Sequence, residues 1–327
     1  MRFSRIGIIA LLAVSVLAGA NCGYYNRVMA RKDLVDGSAA YKNRKFDEAQ
    51  ALFKKAIGRD PKGDYLEGRM AQLFLARTLH SQYIGNRKET AKAEQAIVEY
   101  QKALAFDPKD QASYKAVASL YENLQKPDEW LDWVTKRSQN ASIPPEQRAE
   151  AFTSLAAKKN GCATDISDTE ATKKKTTKDG KPAYTYVKPV STEEFEKFKQ
   201  CIADGTQLID QAIALEPDTV KNAASINIKS LSDAELKAKQ DLLKVFESAR
   251  SYKTSLLYQS AFLAEMEGRG EDYTRLKGEA DDYRKKFLEL SDIGKNIQTE
   301  IDERAAAKEA EGPGGKAKAN ANAASNK

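Results

Sequence analysis

The sequence predicts an all-α chain of stacked helix pairs, and two observations support this. First, three segments share one spacing of small and large apolar residues and then end in an acidic residue and a proline: Ala49-Phe53-Ala56 before Asp60-Pro61, Ala96-Tyr100-Ala103 before Asp107-Pro108, and Ile209-Ala212 before Glu216-Pro217. Second, the apolar residues around them recur at i, i+3, i+4, i+7 and i+8, which is one face of a helix. Since proline cannot continue a helix, each segment reads as the second helix of a pair.

The first element, residues 1–21, is predicted to be a signal peptide. Arg2 and Arg5 precede an apolar or small stretch from Ile6 to Ala20, which is shorter than the roughly 20 residues that span a bilayer. Cleavage after Ala20 is one alternative. The other is acylation of Cys22, because residues 19–22 resemble a bacterial lipobox, although Gly19 and Asn21 depart from its usual pattern. Either way we expect an exported protein, in the periplasm or anchored to the membrane of the bacterial cell envelope.

The next element, residues 22–217, is predicted to hold four helix pairs. In residues 30–63 the motif positions hold Gly37, Tyr41, Phe46, Ala49, Phe53, Ala56 and Pro61. On these residues the chain resembles the tetratricopeptide repeat family, whose repeat is about 34 residues long and has two antiparallel helices. The second repeat needs a longer connection around residues 81–94, and the fourth needs a polar insert at residues 163–191. The resemblance implies an all-α solenoid of helix hairpins with that insert in the fourth repeat.

Residues 218–311 form a C-terminal helical region in which the repeat decays. We expect helices at Asp233–Arg250, Tyr252–Glu267, Glu271–Leu290 and Asp292–Ala310, as a degenerate repeat and a polar cap. Ser232 is placed to cap the first of them. Residues 312–327 consist of small and polar residues without a large apolar side chain, and this composition predicts a disordered tail.

The insert carries two further predictions. Cys162 and Cys201 flank it, and in an oxidising compartment they are expected to form a disulfide. Cys22 would then be the one cysteine without a disulfide partner. Asp179-Gly180 lies between two short β-prone runs, with lysines before it and Tyr184 and Tyr186 after it, which is the signal of a β-hairpin. The sequence nevertheless favours the alternative, a solvated loop, because an isolated hairpin is marginally stable in water.

The composition argues against catalysis. His80 is the only histidine, so no multi-histidine metal site can form, and no Cys-x-x-Cys pair replaces one. No glycine-rich phosphate loop is present. The 53 basic residues are interspersed with 47 acidic ones, so the net charge of +6 does not demand nucleic acid. We therefore expect no catalytic residue, no metal, no cofactor and no nucleic-acid partner.

The predicted binding residues lie on the first helix of each repeat, which lines the concave groove in the family that the chain resembles. They are Tyr41, Lys42, Arg77, His80, Lys115 and Asn123. Together they would make a mildly basic groove with an aromatic residue, suited to an acidic or carboxylate-bearing peptide. The alternative is that Arg77 and His80 are ordinary surface residues. The carboxylate clamp of one subgroup is not supported, because its positions hold Leu34 and Ser38.

These features predict a non-catalytic scaffold or adaptor that binds a protein or peptide partner of unknown identity. The alternative function is a lipoprotein that captures a small molecule or glycan and serves a transporter. An open groove would favour the first, and a closed pocket lined by aromatic residues would favour the second.

Overall fold

The computed structural model describes the backbone of residues 3–178 and 180–311 and the side chains of residues 23–177 and 180–309. Contacts between helices divide the chain into two compact units, Met1–Trp133 and Val134–Lys327. The sequence predicts a different boundary, at Pro217, where the repeat pattern ends. Contacts between helices do not test a boundary that is defined by a sequence pattern. The side chains of the predicted signal peptide and of Cys22, and the whole predicted tail at residues 312–327, lie outside the described residues.

Unit 1 is a succession of helices, each packed on the next from α1 to α5. The helices are α1 Phe3–Lys42, α2 Phe46–Arg59, α3 Leu66–Gly85, α4 Thr90–Phe106, α5 Gln111–Asn123 and α6 Pro127–Gln139, the last of which contains the division between the units. Connections of three or four residues join α1 to α2 and α3 to α4. Two packed helices with so short a connection form a helix hairpin.

The repeated small and large residues are the core of these hairpins. Ala49, Phe53 and Ala56 are fully buried on α2, and Ala96 and Tyr100 are buried on α4. Small residues let the neighbouring helices approach closely, and the aromatic ring fills the remaining space. Gly37 on α1 shows how tight this packing is, because a Cβ atom there would lie 2.7 Å from the ring of Phe53.

The acidic residue before proline has a structural role at the end of α2. Asp60 is buried, and its carboxylate accepts hydrogen bonds from the backbone N–H groups of Asp64 and Tyr65 at 2.9 Å. These residues begin the turn into α3. The acidic side chain thus satisfies backbone donors of the connection that leads into α3, while Pro61 stops the preceding helix.

Unit 2 contains a pair of long helices, a two-stranded sheet and a second long pair. Its elements are α7 Pro145–Ser167, β1 Lys173–Lys178, β2 Lys181–Tyr186, α8 Thr192–Ala214, α9 Asp218–Lys221, α10 Asp233–Met266 and α11 Gly270–Glu311, with 3₁₀ turns at Ala223–Ser225 and Ile228–Ser230. Helix α10 packs against α7, α8 and α11 and forms the centre of the core. Leu236, Leu243 and Phe246 of α10 are fully buried there.

The predicted insert, residues 163–191, begins later than expected, because α7 continues to Ser167; it contains a β-hairpin whose base is closed by a disulfide. Strands β1 and β2 are antiparallel, with Lys173 opposite Tyr186 and Lys178 opposite Lys181. Gly180 adopts a φ of 75°, a left-handed conformation that favours glycine in such turns; Asp179 lies outside the described residues. Cys162 and Cys201 are bonded, with Cα atoms 6.0 Å apart. The all-α fold of helix hairpins with a polar insert, and the disulfide, are confirmed.

Two details of the sequence prediction are wrong. The connection of the second hairpin is not extended, since α3 runs on to Gly85 and only residues 86–89 precede α4. In the C-terminal region, two continuous helices replace the four predicted ones, because α10 continues through Ser251 and α11 continues through Ser291. Ser232 caps α10 as predicted, in a reciprocal capping box with Glu235.

In the described part of the chain, no helix has the combination of length and apolar character that crossing a bilayer requires.

Candidate binding site

Three of the six predicted binding residues come together in unit 1 on and around α3. We call the group of Tyr41, Phe74, Arg77, His80, Ser81 and Tyr100 the α3 cluster. The Tyr41 hydroxyl, at the end of α1, lies 3.0 Å from the Ser81 hydroxyl. Its ring makes an edge contact with Phe74, with centroids 6.2 Å apart. Phe74, Arg77 and Ser81 are spaced by three and four residues, so they share one face of α3.

His80 and Tyr100 form the inner part of the cluster. The Nδ1 atom of His80 and the Tyr100 hydroxyl are 3.3 Å apart, and the two rings meet edge to face at 5.9 Å. Burial, and then the nearby positive charge of Arg87, lower the pKa of His80. Burial raises the pKa of the Tyr100 hydroxyl, and the positive charge of Arg77 opposes this rise. At neutral pH both groups are therefore uncharged hydrogen-bonding groups.

Arg77 supplies the positive charge of the cluster. Its guanidinium lies 5.5 Å from the centre of the Phe74 ring, and the side chain is half-buried. Within the described residues Arg77 forms no ion pair with a carboxylate, in contrast to Arg59, whose Nε donates to Asp33 at 2.7 Å. A guanidinium held against a ring keeps its donors ordered and can accept a carboxylate in two parallel hydrogen bonds.

The other three predicted residues lie on α1 and α5. Lys42 is exposed at the end of α1. Lys115 is exposed on α5. Asn123, also on α5, donates a hydrogen bond to the carbonyl of Ser119 at 2.8 Å, so its amide is used within its own helix. The structure thus brings Tyr41, Arg77 and His80 together, and it shows no contact that adds Asn123 to them.

Sequence reasoning missed three members of the cluster, Phe74, Ser81 and Tyr100. The helical spacing from Arg77 to Phe74 and Ser81 was available as a signal, because residues three and four apart are neighbours on a helix. Tyr100 occupies a core position of the repeat and is 4% exposed. Nothing in the local sequence indicates that its hydroxyl reaches a histidine on another helix.

The functional groups of the α3 cluster are suited to binding a ligand. It combines aromatic rings, hydroxyl groups, a neutral imidazole and one guanidinium. Among the described residues, no group of three or more histidine, cysteine or acidic side chains is placed to hold a metal ion. Such a surface can hold an apolar side chain against Phe74 and orient a carboxylate on Arg77.

His80 is expected to make unit 1 less stable as the pH falls below about 6.5, the pKa of a histidine in an unfolded chain. Since the pKa of His80 is lowered in the folded protein, the unfolded chain takes up a proton more readily, and stability is lost as the pH falls from the unfolded pKa through the folded one. The variant His80→Gln should show a flatter dependence, measured by urea unfolding followed by tryptophan fluorescence, because Trp130 and Trp133 are both in unit 1. An equal slope in both proteins would refute the assignment.

Comparisons with known proteins supply no family for this chain. No family model matches it. The signal recognition particle receptor FtsY of Aquifex aeolicus (strain VF5) is 30% identical over 114 residues, which are 34% of this chain and 23% of that protein. The chain thus matches less than a quarter of the length of that relative, and the activity of the whole receptor does not transfer.

Two solved structures are similar to this chain. One is of PilF from Pseudomonas aeruginosa, which is 14% identical, with 81% of this chain and 98% of that one covered and a TM-score of 0.31. The other is a tetratricopeptide repeat protein from Parabacteroides merdae ATCC 43184, which is 12% identical with the same coverage and TM-score. A TM-score this low carries no argument, so the fold described above rests on the helices and contacts of this chain alone.

Proposed function

We propose that the protein is a non-catalytic scaffold of the bacterial cell envelope that binds a protein or peptide partner through the α3 cluster. The observation that carries the proposal is Arg77, a half-buried cation held over Phe74 with no carboxylate of the described residues paired to it. Helix hairpins of this kind mostly bind other proteins. Export, with either cleavage after Ala20 or acylation of Cys22, remains a proposal from the sequence.

The partner would be a peptide segment with an acidic side chain or a free C-terminal carboxylate. Its carboxylate would pair with Arg77, while the rings of Tyr41 and Phe74 would cover a neighbouring apolar side chain. The neutral His80 adds a hydrogen-bonding group without adding charge. Since the aromatic contacts are independent of charge, the carboxylate would fix the orientation and the rings would supply much of the affinity.

The test is a peptide selection followed by measured affinities. Random peptides displayed on phage are selected on the full chain, and the recovered sequences are expected to be enriched in Asp, Glu or a free C-terminal carboxylate next to an apolar residue. Arg77→Glu should raise the dissociation constant of the best synthetic peptide at least tenfold, because it replaces an attractive charge by a repulsive one. Fluorescence anisotropy gives the dissociation constants.

The matched control is Arg31→Glu, which makes the same charge change at an exposed arginine of α1 in the same unit. Its affinity should equal that of the wild type. Selected peptides without acidic character, or equal losses in Arg77→Glu and Arg31→Glu, would refute the assignment of the partner to the α3 cluster.

The alternative function, capture of a small molecule or glycan, is less well supported. A cavity of about 450 Å³ lies beside α9 in unit 2, lined mainly by polar residues together with Ile226 and Leu231. No aromatic residue lines this cavity. The stacked aromatic rings and enclosed walls typical of a ligand pocket are therefore missing from it.

A further inference from the structure

We propose that the β-hairpin of unit 2 is a contact site for a membrane surface rich in anionic phospholipid. We call residues 173–188 the basic hairpin. Nothing in the proposed peptide-binding function of the α3 cluster requires this element. The inference rests on how the hairpin is anchored, on its charge, and on the side chains that it exposes.

The base of the hairpin is firmly attached to unit 2. The ring of Tyr186 stacks on Phe262 of α10 with centroids 3.7 Å apart. The backbone N–H of Tyr186 donates to the carboxylate of Glu265 at 3.2 Å, and that of Val187 donates to the carbonyl of Thr172 at 2.9 Å. The disulfide joins the two helices between which the insert emerges. An isolated hairpin is marginal in water, so these contacts are what make this one a defined structure.

Beyond that base the hairpin faces solvent. Lys175 and Tyr184 are opposite each other on the same face as Tyr186, but they lie further out, and Tyr184 is 50% exposed. The ammonium of Lys173 lies 4.7 Å from the centre of the Tyr184 ring. Lys174, Lys175, Lys181 and Lys188 are exposed. The attached base therefore holds out a solvent-facing hairpin with lysines on both faces: Lys173 and Lys175 share the face of Tyr184, and Lys174 and Lys181 lie on the opposite face.

The hairpin and its flanking residues carry mainly positive charge. Residues 171–191 contain six lysines, and Asp179 is their sole acidic residue. Lys173 pairs with Asp168 at 2.6 Å, at the foot of the hairpin. Acidic residues resume only at Glu193, in the first turn of α8. Clusters of four to eight lysines or arginines beside a membrane-spanning helix or on an amphipathic helix bind anionic lipid, and the same electrostatic attraction acts on lysines that a hairpin holds near a membrane surface.

The side chains favour a lipid surface over an acidic peptide. The segment holds six lysines and no arginine, and lysine acts as a hydrated point charge, whereas arginine is preferred where a carboxylate is recognised by paired hydrogen bonds. Exposed apolar residues accompany the lysines: besides Tyr184, Val187 is 40% and Val190 is 99% exposed. Tyrosine and small apolar side chains can enter the headgroup region while the lysines remain at the phosphates.

The experiment compares the binding of the full chain to phosphatidylcholine vesicles with and without phosphatidylglycerol, by co-sedimentation. The wild type is expected to bind the anionic vesicles more tightly, and the difference should shrink as salt is added. The variant Lys174→Glu/Lys175→Glu/Lys181→Glu should lose at least tenfold in affinity for anionic vesicles, because each lysine at such a surface contributes up to about fivefold. Tyr184→Ser should weaken binding less, and on both kinds of vesicle.

The matched control is Lys229→Glu/Lys237→Glu/Lys244→Glu, which makes the same change of net charge at three exposed lysines of the same unit. It should bind like the wild type. Every protein carries the same N-terminal segment, so any membrane affinity of that segment is common to all arms. Equal binding of the two triple variants, no preference of the wild type for anionic vesicles, or binding to a soluble polyanion without binding to vesicles would overturn the proposal.

Discussion

Replacing Arg250 with methionine is expected to lower the free energy of unfolding of unit 2 by about 3–5 kcal/mol. Arg250 is a buried residue of α10, and its guanidinium donates to the buried carboxylate of Glu216 and, at 2.8 Å, to the backbone carbonyl of Lys286 in α11. Methionine keeps most of the packing but leaves Glu216 as a buried charge without its cation. The cost is mainly that of the unpaired carboxylate.

A second variant separates the cost of the unpaired carboxylate from the net stabilisation that the Arg250–Glu216 ion pair provides. Arg250→Met/Glu216→Leu removes both charges, and its stability should return to within about 1–2 kcal/mol of the wild type, since a buried ion pair can often be replaced by apolar residues. Hydrogen exchange of the α10 amides, which report the core of unit 2, measures both effects.

The matched control is Lys253→Met, at the next turn of the same helix. Lys253 pairs with Asp210 at 2.5 Å, but the carboxylate of Asp210 is 54% exposed. Water can solvate it after the substitution, so a loss of no more than about 1 kcal/mol is expected. If Arg250→Met costs no more than Lys253→Met, the buried pair with Glu216 does not stabilise unit 2 in the way described.

Removing the disulfide should destabilise unit 2 by up to about 4 kcal/mol. Cys162 and Cys201 are 39 residues apart in the sequence, and a bond across a loop of that length restricts the unfolded chain considerably. The variant Cys162→Ser/Cys201→Ser would be compared with the wild type by urea denaturation followed by circular dichroism. Its basic hairpin should also become more susceptible to proteolysis, because the two helices that carry its base are no longer linked.

Two controls accompany this measurement. Cys22→Ser leaves the bond intact and should unfold like the wild type, and a thiol reductant should shift the wild type to the midpoint of the double variant without changing the variant itself. Mass spectrometry of the unreduced protein should find a peptide that joins Cys162 to Cys201. Free thiols at both positions in the mature protein would contradict the pairing.

Much of the fold could be predicted from the sequence because helices are encoded locally. The spacing around Phe53 and Tyr100 identified buried helix faces, and Ser232 identified the start of α10. The breaks predicted at Ser251 and Ser291 were wrong, because serine is compatible with a helix and packing along α10 and α11 outweighs its weak propensity. The helix end that does occur is marked by Gly268, with a φ of 75° after α10.

The candidate site was predictable only in part. Arg77 and His80 could be placed on one helix from their spacing, and Tyr41 could be placed on the neighbouring one from the repeat. The surroundings that give these residues their properties could not be inferred. The pKa of His80 is lowered first by its burial, and that burial is produced by helices that pack from elsewhere in the chain.

By itself, the sequence determined where most helices lie and roughly where the insert lies between them, because each depends on residues a few places apart. Only the tertiary structure decided which polar groups meet. His80 reaches Tyr100 across 20 positions, Arg250 reaches Glu216 across 34, and Tyr186 contacts Glu265 across 79. Side chains this distant in sequence are brought together by the packing of whole helices, and no local periodicity records the result.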